Sequence, residues 1–139
     1  MKKYYFVFIA LYLLTITNVN AKIWIVANNG LPADFTTLQD AHDGASAGDT
    51  IHVLGSKQSY GNLTCTKQLH IFGPGYTLIT NQPGILPITA QAQTITFNSG
   101  SEFSTFEGLA LNGINIRASD ITIKRCELTV ILPKIRTSC

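Results

Sequence analysis

Short runs of alternating apolar and polar residues, closely spaced and punctuated by turn formers, constrain this chain more than any other feature. They are Thr50-Ile51-His52-Val53-Leu54, Leu69-His70-Ile71-Phe72, Thr94-Ile95-Thr96-Phe97, Leu109-Ala110-Leu111, Ile114-Asn115-Ile116 and Ile121-Thr122-Ile123-Lys124. Period two over three to five residues is the pattern of a short strand with one buried face. Gly73-Pro74-Gly75, Asn81-Gln82-Pro83-Gly84, Asn98-Ser99-Gly100 and Asn112-Gly113 fill the gaps with turn chemistry. Strands this short are stable only when they pack on others, in a sandwich, a barrel or a solenoid. Internal repetition favours the solenoid. Phe106–Leu111 aligns with Ile123–Leu128 at an offset of 17 residues, with apolar residues at the first, fourth and sixth places, and Ile71 precedes Ile95 by 24. Repeats near twenty residues predict coils stacked about 4.8 Å apart. Ile71, Ile95, Ile121 and Ile123 are then expected to face inward, and Thr94, Thr96, Thr122 and Lys124 outward.

One segment reads as helix. Over Thr36–Ala47, Thr36 is placed to act as N-cap, with Gln39 three residues on as its capping-box partner. Leu38, Ala41 and Ala45 form an apolar stripe, and Gly48 is the expected stop. A helix so short, with so small a stripe, requires an apolar surface to lie on. Ahead of it, Ile23-Trp24-Ile25-Val26 is β-prone and is broken by Asn28-Asn29-Gly30 and Leu31-Pro32.

The start of the chain has the order of a signal peptide. Lys2 and Lys3 precede an apolar run of thirteen residues, Tyr4 to Ile16, broken only by Thr15, and Thr17–Ala21 ends in a small-residue pattern that predicts cleavage between Ala21 and Lys22. A spanning helix needs about 20 apolar residues, more than this run supplies. The expected layout is a signal peptide at 1–21 and one domain at 22–139, with an N-terminal cap at 22–49, coils at 50–128 and an atypical tail at 129–139. The expected location is secreted, periplasmic or cell surface. Net charge is only +2 and charged residues are 13% of the chain, without a Lys/Arg cluster, so a nucleic-acid partner is not expected. Cys65, Cys126 and Cys139 make no CxxC and have no His at ligand spacing, which argues against zinc. Cys65 and Cys126 read as small buried hydrophobes; in an oxidising compartment their pairing stays open.

Two segments carry a family resemblance. Ala33-Asp34-Phe35-Thr36-Thr37-Leu38-Gln39-Asp40-Ala41 and Ala47-Gly48-Asp49-Thr50-Ile51-His52-Val53 resemble the opening of right-handed parallel β-helix proteins of the pectin-lyase-like superfamily. Leu69–Tyr76 is similar to the next coil of that family. Ile121–Cys126 is similar to its strand-turn repeat, in which the position of Arg125 is often Asn. The resemblance implies an all-β, right-handed parallel β-helix, a solenoid with a short N-terminal capping α-helix. It also implies an N-terminal portion of a longer protein, since about 118 residues hold only about four coils.

Function is less legible. The family's lyases use a carboxylate cluster for calcium and an Arg or Lys base. Calcium takes six to eight oxygens, whereas the carboxylates after the cap are only Glu102, Glu107, Asp120 and Glu127. Asp120 with Lys124 or Arg125 is the one constellation to weigh; each reads more simply as a turn or solvent-face residue. No catalytic, cofactor-binding or metal residue is therefore assigned; calcium is implied only by the resemblance. Asn62-Leu63-Thr64 is a glycosylation sequon. The expectation is a secreted or surface repeat protein, non-catalytic as it stands, binding a polysaccharide or surface glycan through outward Thr, Asn and Ser rows. No membrane partner is expected after signal removal, and self-association is expected through the uncapped C-terminal coil. The alternative is an N-terminal fragment of a polysaccharide lyase or glycoside hydrolase acting on pectin-like polymers.

Overall fold

A computed structural model describes residues 20–75 and 89–129. The apolar run at 4–16, the turn at 81–84 and all of the tail but its first residue lie outside the described residues. The elements are β1 (Ile23–Val26), α1 (Leu38–Gly44), β2 (Thr50–Val53), β3 (Leu63–Cys65), β4 (His70–Phe72), β5 (Gln91–Phe97), β6 (Thr105–Glu107), β7 (Ala110–Ile116), β8 (Thr122–Lys124) and β9 (Glu127–Leu128). They form two parallel sheets, one ordered β1-β2-β4-β6-β8 and the other β3-β5-β7-β9.

The expected all-β right-handed parallel β-helix is corrected by this arrangement. The described residues form two small parallel sheets and a helix, of mixed α/β character, and show no β-helix solenoid. The physical reason is the spacing. Ile51 pairs with Ile71, Ile71 with Phe106 and Phe106 with Ile123, so the step along one sheet rises to 35 residues and falls to 17. A uniform coil of about twenty residues is absent. Ile71 and Ile95, whose separation suggested such a coil, belong to different sheets, and Ile95 pairs with Leu63 and Ile114 instead.

Parallel pairing lays like residues side by side and builds the core. Trp24, Ile51, Ile71, Phe106 and Ile123 make one inward row of the first sheet. Leu63, Ile95 and Ile114, with Cys65, Phe97 and Ile116, make two rows of the second. Ile51, Ile71, Ile95, Phe97 and Phe106 are buried, and Phe97 meets Phe106 edge-on at 6.1 Å between the sheets. Burying each such side chain stabilises the fold by about 1.5–3 kcal/mol. Ile123 shares the Phe106 row yet is 37% exposed, because among the described residues β8 is the last strand of its sheet and no further row covers it. Ile121 is half-buried, Thr122 and Lys124 are exposed, and Thr94 and Thr96 are intermediate.

The helix lies where the two sheets begin, against β1 and β3. Leu38, Ala41 and Ala45 are buried, as the apolar stripe predicts. Its bounds are tighter than expected. Thr37 rather than Thr36 is the N-cap, accepting from the Asp40 N–H at 3.1 Å, and Ala45 closes the helix before Gly48. Gln39, freed from capping, turns to the sheet: its Oε1 accepts from the Thr64 N–H at 2.8 Å. His42 is buried, and its Nε2 accepts from the Thr66 N–H at 3.1 Å. Two helix side chains thus satisfy one backbone donor within β3 and one just after it, on an edge strand that would otherwise invite pairing with another chain. Lys67 returns the tie by donating to the carbonyls of His42 and Ala45 at 2.7 Å and of Asp43 at 3.2 Å.

Candidate functional site

The outer face of the second sheet follows from its register. Thr64, Thr96 and Asn115 lie side by side on β3, β5 and β7. β5 and β7 both break alternation at one level, where Gln93-Thr94 and Asn112-Gly113 each put two successive residues outside the buried rows. Asn112-Gly113, which reads as a turn in sequence, is therefore a bend inside one continuous strand, and the two runs flanking it are a single element. Gly113 suits the place because a Cβ there would meet Thr94 Oγ1 at 3.3 Å. The resulting surface carries Asn62, Thr64, Gln91, Gln93, Thr94, Thr96, Asn112 and Asn115.

These side chains are held by one another. Asn115 Nδ2 donates to Thr96 Oγ1 at 3.4 Å, and Gln91 Nε2 to Asn112 Oδ1 at 3.4 Å. Asn62 Oδ1 accepts from the Thr94 N–H at 3.0 Å, so the sequon asparagine spends its oxygen on the sheet. Among the described residues only Glu127, beside Ala110 at the end of the Gln91 row, brings a charge to these rows. Hydroxyls and amides both donate and accept, so the face matches a neutral, hydroxyl-rich ligand better than an ion.

A separate cleft of about 370 Å³ is lined by Asn28, Asn29, Gly55, Ser56, Lys57 and Gln58, within the range of small-ligand sites. Asn28 Nδ2 donates to the Ser59 carbonyl at 3.1 Å, which fixes the amide's orientation, and among the described residues its buried Oδ1 has no hydrogen-bond partner. A buried acceptor of this kind costs free energy until a donor reaches it. Asn29 is committed, donating to the Gly55 carbonyl at 2.8 Å and accepting from the Leu31 N–H at 3.1 Å. In sequence both asparagines read only as strand-breaking turn chemistry, and nothing in the pattern singles out Asn28.

The weighed catalytic constellation does not assemble. Lys124 lies in register beside Glu107, and Arg125 Nη1 stands 3.6 Å from Glu107 Oε1. Both cations therefore face a carboxylate, and among the described residues no hydrogen bond or ion pair joins either to Asp120. Asp120 and Arg125 both have left-handed backbone, φ 56 and 49. Arg125 occupies the place of Gly108 one repeat earlier, where φ is 75, which is why an Asn would suit it. The residues do not fit calcium either, since no three His, Cys, Asp or Glu side chains converge among the described residues. Cys65 and Cys126 are free thiols, and burial pushes both above the ordinary thiol range.

The aspartates near the helix serve structure. Asp34 Oδ2 accepts from the Ile25 N–H at 2.8 Å. Hydrogen bonds from His42 and Gln39 hold the Asp43 carboxyl below its ordinary value. Asp49, 3% exposed, accepts from the Lys22 N–H at 2.8 Å, Trp24 Nε1 at 2.9 Å and the Ser46 N–H at 2.9 Å. Burial pushes its carboxyl up, and these three donors together with the Lys22 charge outweigh that and hold it below the ordinary value.

No protein-family model, curated protein or solved structure matches the chain. Among the described residues no helix is long and apolar enough to cross a membrane.

Proposed function

We propose that this is an exported, non-catalytic protein that binds polysaccharide along the polar face of its second sheet. Export rests on the Lys2-Lys3 start, the apolar run and the cleavage pattern ending at Ala21. Glycan binding rests on one observation, the in-register row of Thr64, Thr96 and Asn115 beside the Gln91–Asn112 pair. Rows separated by about 4.8 Å present hydroxyl and amide groups at intervals close to one sugar residue of an extended polymer. Because neighbouring side chains and rigid strands already hold these groups, binding freezes little additional freedom. Each sugar contributes only a few neutral hydrogen bonds, so affinity grows with polymer length through avidity. The Asn28 cleft suits a single sugar unit whose hydroxyl donates to Oδ1.

The test presents the exported protein with a panel of neutral and acidic polysaccharides, pectin and polygalacturonate included. Saturable binding that strengthens from short to long oligosaccharides, with no product formed, is the expected result. Cleavage of any of these polymers, or silence across the panel, overturns the proposal.

A further inference from the structure

The three donors on Asp49 include one that signal removal would transform. The Lys22 N–H that donates to Asp49 Oδ1 at 2.8 Å belongs to the first residue after the expected cleavage point. Lys22 is held on its other side as well, since its carbonyl accepts from the Thr50 N–H at 2.8 Å. Asn20, Ala21 and Lys22 are exposed, while the carboxylate that receives Lys22 is buried.

We infer that Asp49 is the receptor for the processed amino terminus: cleavage before Lys22 turns the amide that donates to the Asp49 carboxylate into an α-ammonium, so that the hydrogen bond becomes a partly buried ion pair. The inference rests on the export reading given above. Hydrolysis of the Ala21–Lys22 bond adds one water, leaves a carboxylate on the departing segment and places an ammonium on Lys22. The nitrogen is already at hydrogen-bond distance from Asp49, so the pair forms without rearrangement. The Lys22 side chain adds its charge near the Asp49 carboxylate but does not take the hydrogen bond, since its Nζ lies 3.2 Å from the centre of the Trp24 ring in a cation–π contact. His70 approaches Asp49 only through its backbone, donating to the Asp49 carbonyl at 3.0 Å. Trp24 Nε1 and the Ser46 N–H occupy the second carboxylate oxygen, so the site tethers β1, the residues after α1 and the start of β2 at one carboxylate. Processing would then lock together the end of the fold where the helix covers the two sheets.

Two chains ending at Cys139 test the pairing, one beginning at Lys22 and one retaining Ala21. A paired α-ammonium has a raised pKa, and one pKa unit leaves a tenfold smaller free-amine fraction at neutral pH. The Lys22 chain is therefore expected to acylate at its amino terminus about tenfold more slowly than the Ala21 chain, read by mass spectrometry of the N-terminal peptide. Its thermal midpoint should be higher by roughly 4 °C, the shift that matches a one-unit rise in the pKa of the ammonium in a domain this size. Asp49→Asn in the Lys22 chain should restore fast acylation. Equal acylation rates and equal midpoints in the two unsubstituted chains overturn the inference whether or not the variant folds. Sequencing the amino terminus of the exported protein checks the export reading separately, and a first residue other than Lys22 overturns the cleavage position on which the device depends.

Discussion

Replacing Lys67 by Met removes one ammonium and keeps most of the stem. The ammonium donates to three carbonyls at the end of α1, those of His42, Asp43 and Ala45. Hydrogen bonds to a charged group contribute about 1.5–3 kcal/mol each in favourable settings, and a cation also complements the carbonyl end of a helix. Against that, ordering a lysine costs about 2 kcal/mol of side-chain freedom, and one of the three bonds is long. The net loss for Lys67→Met is expected to be about 2 kcal/mol, or roughly 8 °C in midpoint for a domain this size. The loss should also be local. Gln39 and His42 accept from the Thr64 and Thr66 N–H groups, so fraying of α1 frees those two amides. Urea unfolding measures the energy, and amide exchange measures the protection of Thr64 and Thr66. A loss below about 0.5 kcal/mol, or unchanged protection at both amides, would refute the view that Lys67 holds the helix over the β3 edge.

Two further predictions follow from the same geometry. Asp49 titrates below its ordinary value of 3.8 in the folded protein, so its contribution is complete above that value and is lost as pH falls through the lowered native pKa. The stability gap between the protein and Asp49→Asn should therefore be largest at neutral pH and shrink below about pH 4; a gap that stays constant to pH 2 in calorimetry contradicts this. At Gly100, where φ is 98, a Cβ would stand 2.4 Å from the Thr66 carbonyl oxygen. Gly100→Ala should cost about 2 kcal/mol or more in a denaturant titration, and a neutral outcome would show that the Asn98–Ser104 corner can shift.

Legibility in the sequence divided by the range of the interaction. Ile23–Val26 is a strand at its expected bounds, and the Leu38, Ala41 and Ala45 stripe is buried, because β-propensity and helical spacing are local properties of the chain. The 17-residue offset is real as well, since Phe106 pairs with Ile123. Partner choice was not legible. Which strand Ile95 joins depends on how the intervening loops close, and that is absent from any short window. Asn112-Gly113 has turn chemistry but lies within β7, because pairing with Gln91–Phe97 overrides local preference. Leu63–Cys65 and Thr105–Glu107 alternate over only three residues, and Glu127–Leu128 over two, so their pairing with neighbours rather than their own pattern marks them as strands. Of the polar face, Thr94 and Thr96 could be read as outward from period two, whereas Asn115 beside Thr96 and Thr64 requires the register. That the Asn28 oxygen has no partner among the described residues could not be inferred, since burial and orientation fix it rather than residue type.

Affinity for polysaccharide when the Thr64–Thr96–Asn115 row is stripped of its polar groups tests the central claim most directly. Thr64→Val, Thr96→Val and Asn115→Ala together remove hydroxyls and an amide from the outer surface while leaving the inward rows untouched. Each lost hydrogen bond is worth about 0.5–1.5 kcal/mol, so affinity for the bound polymer should fall by at least about tenfold while the thermal midpoint moves by no more than about 3 °C. Unchanged affinity in a variant that still folds would contradict the assignment of this face as the glycan site.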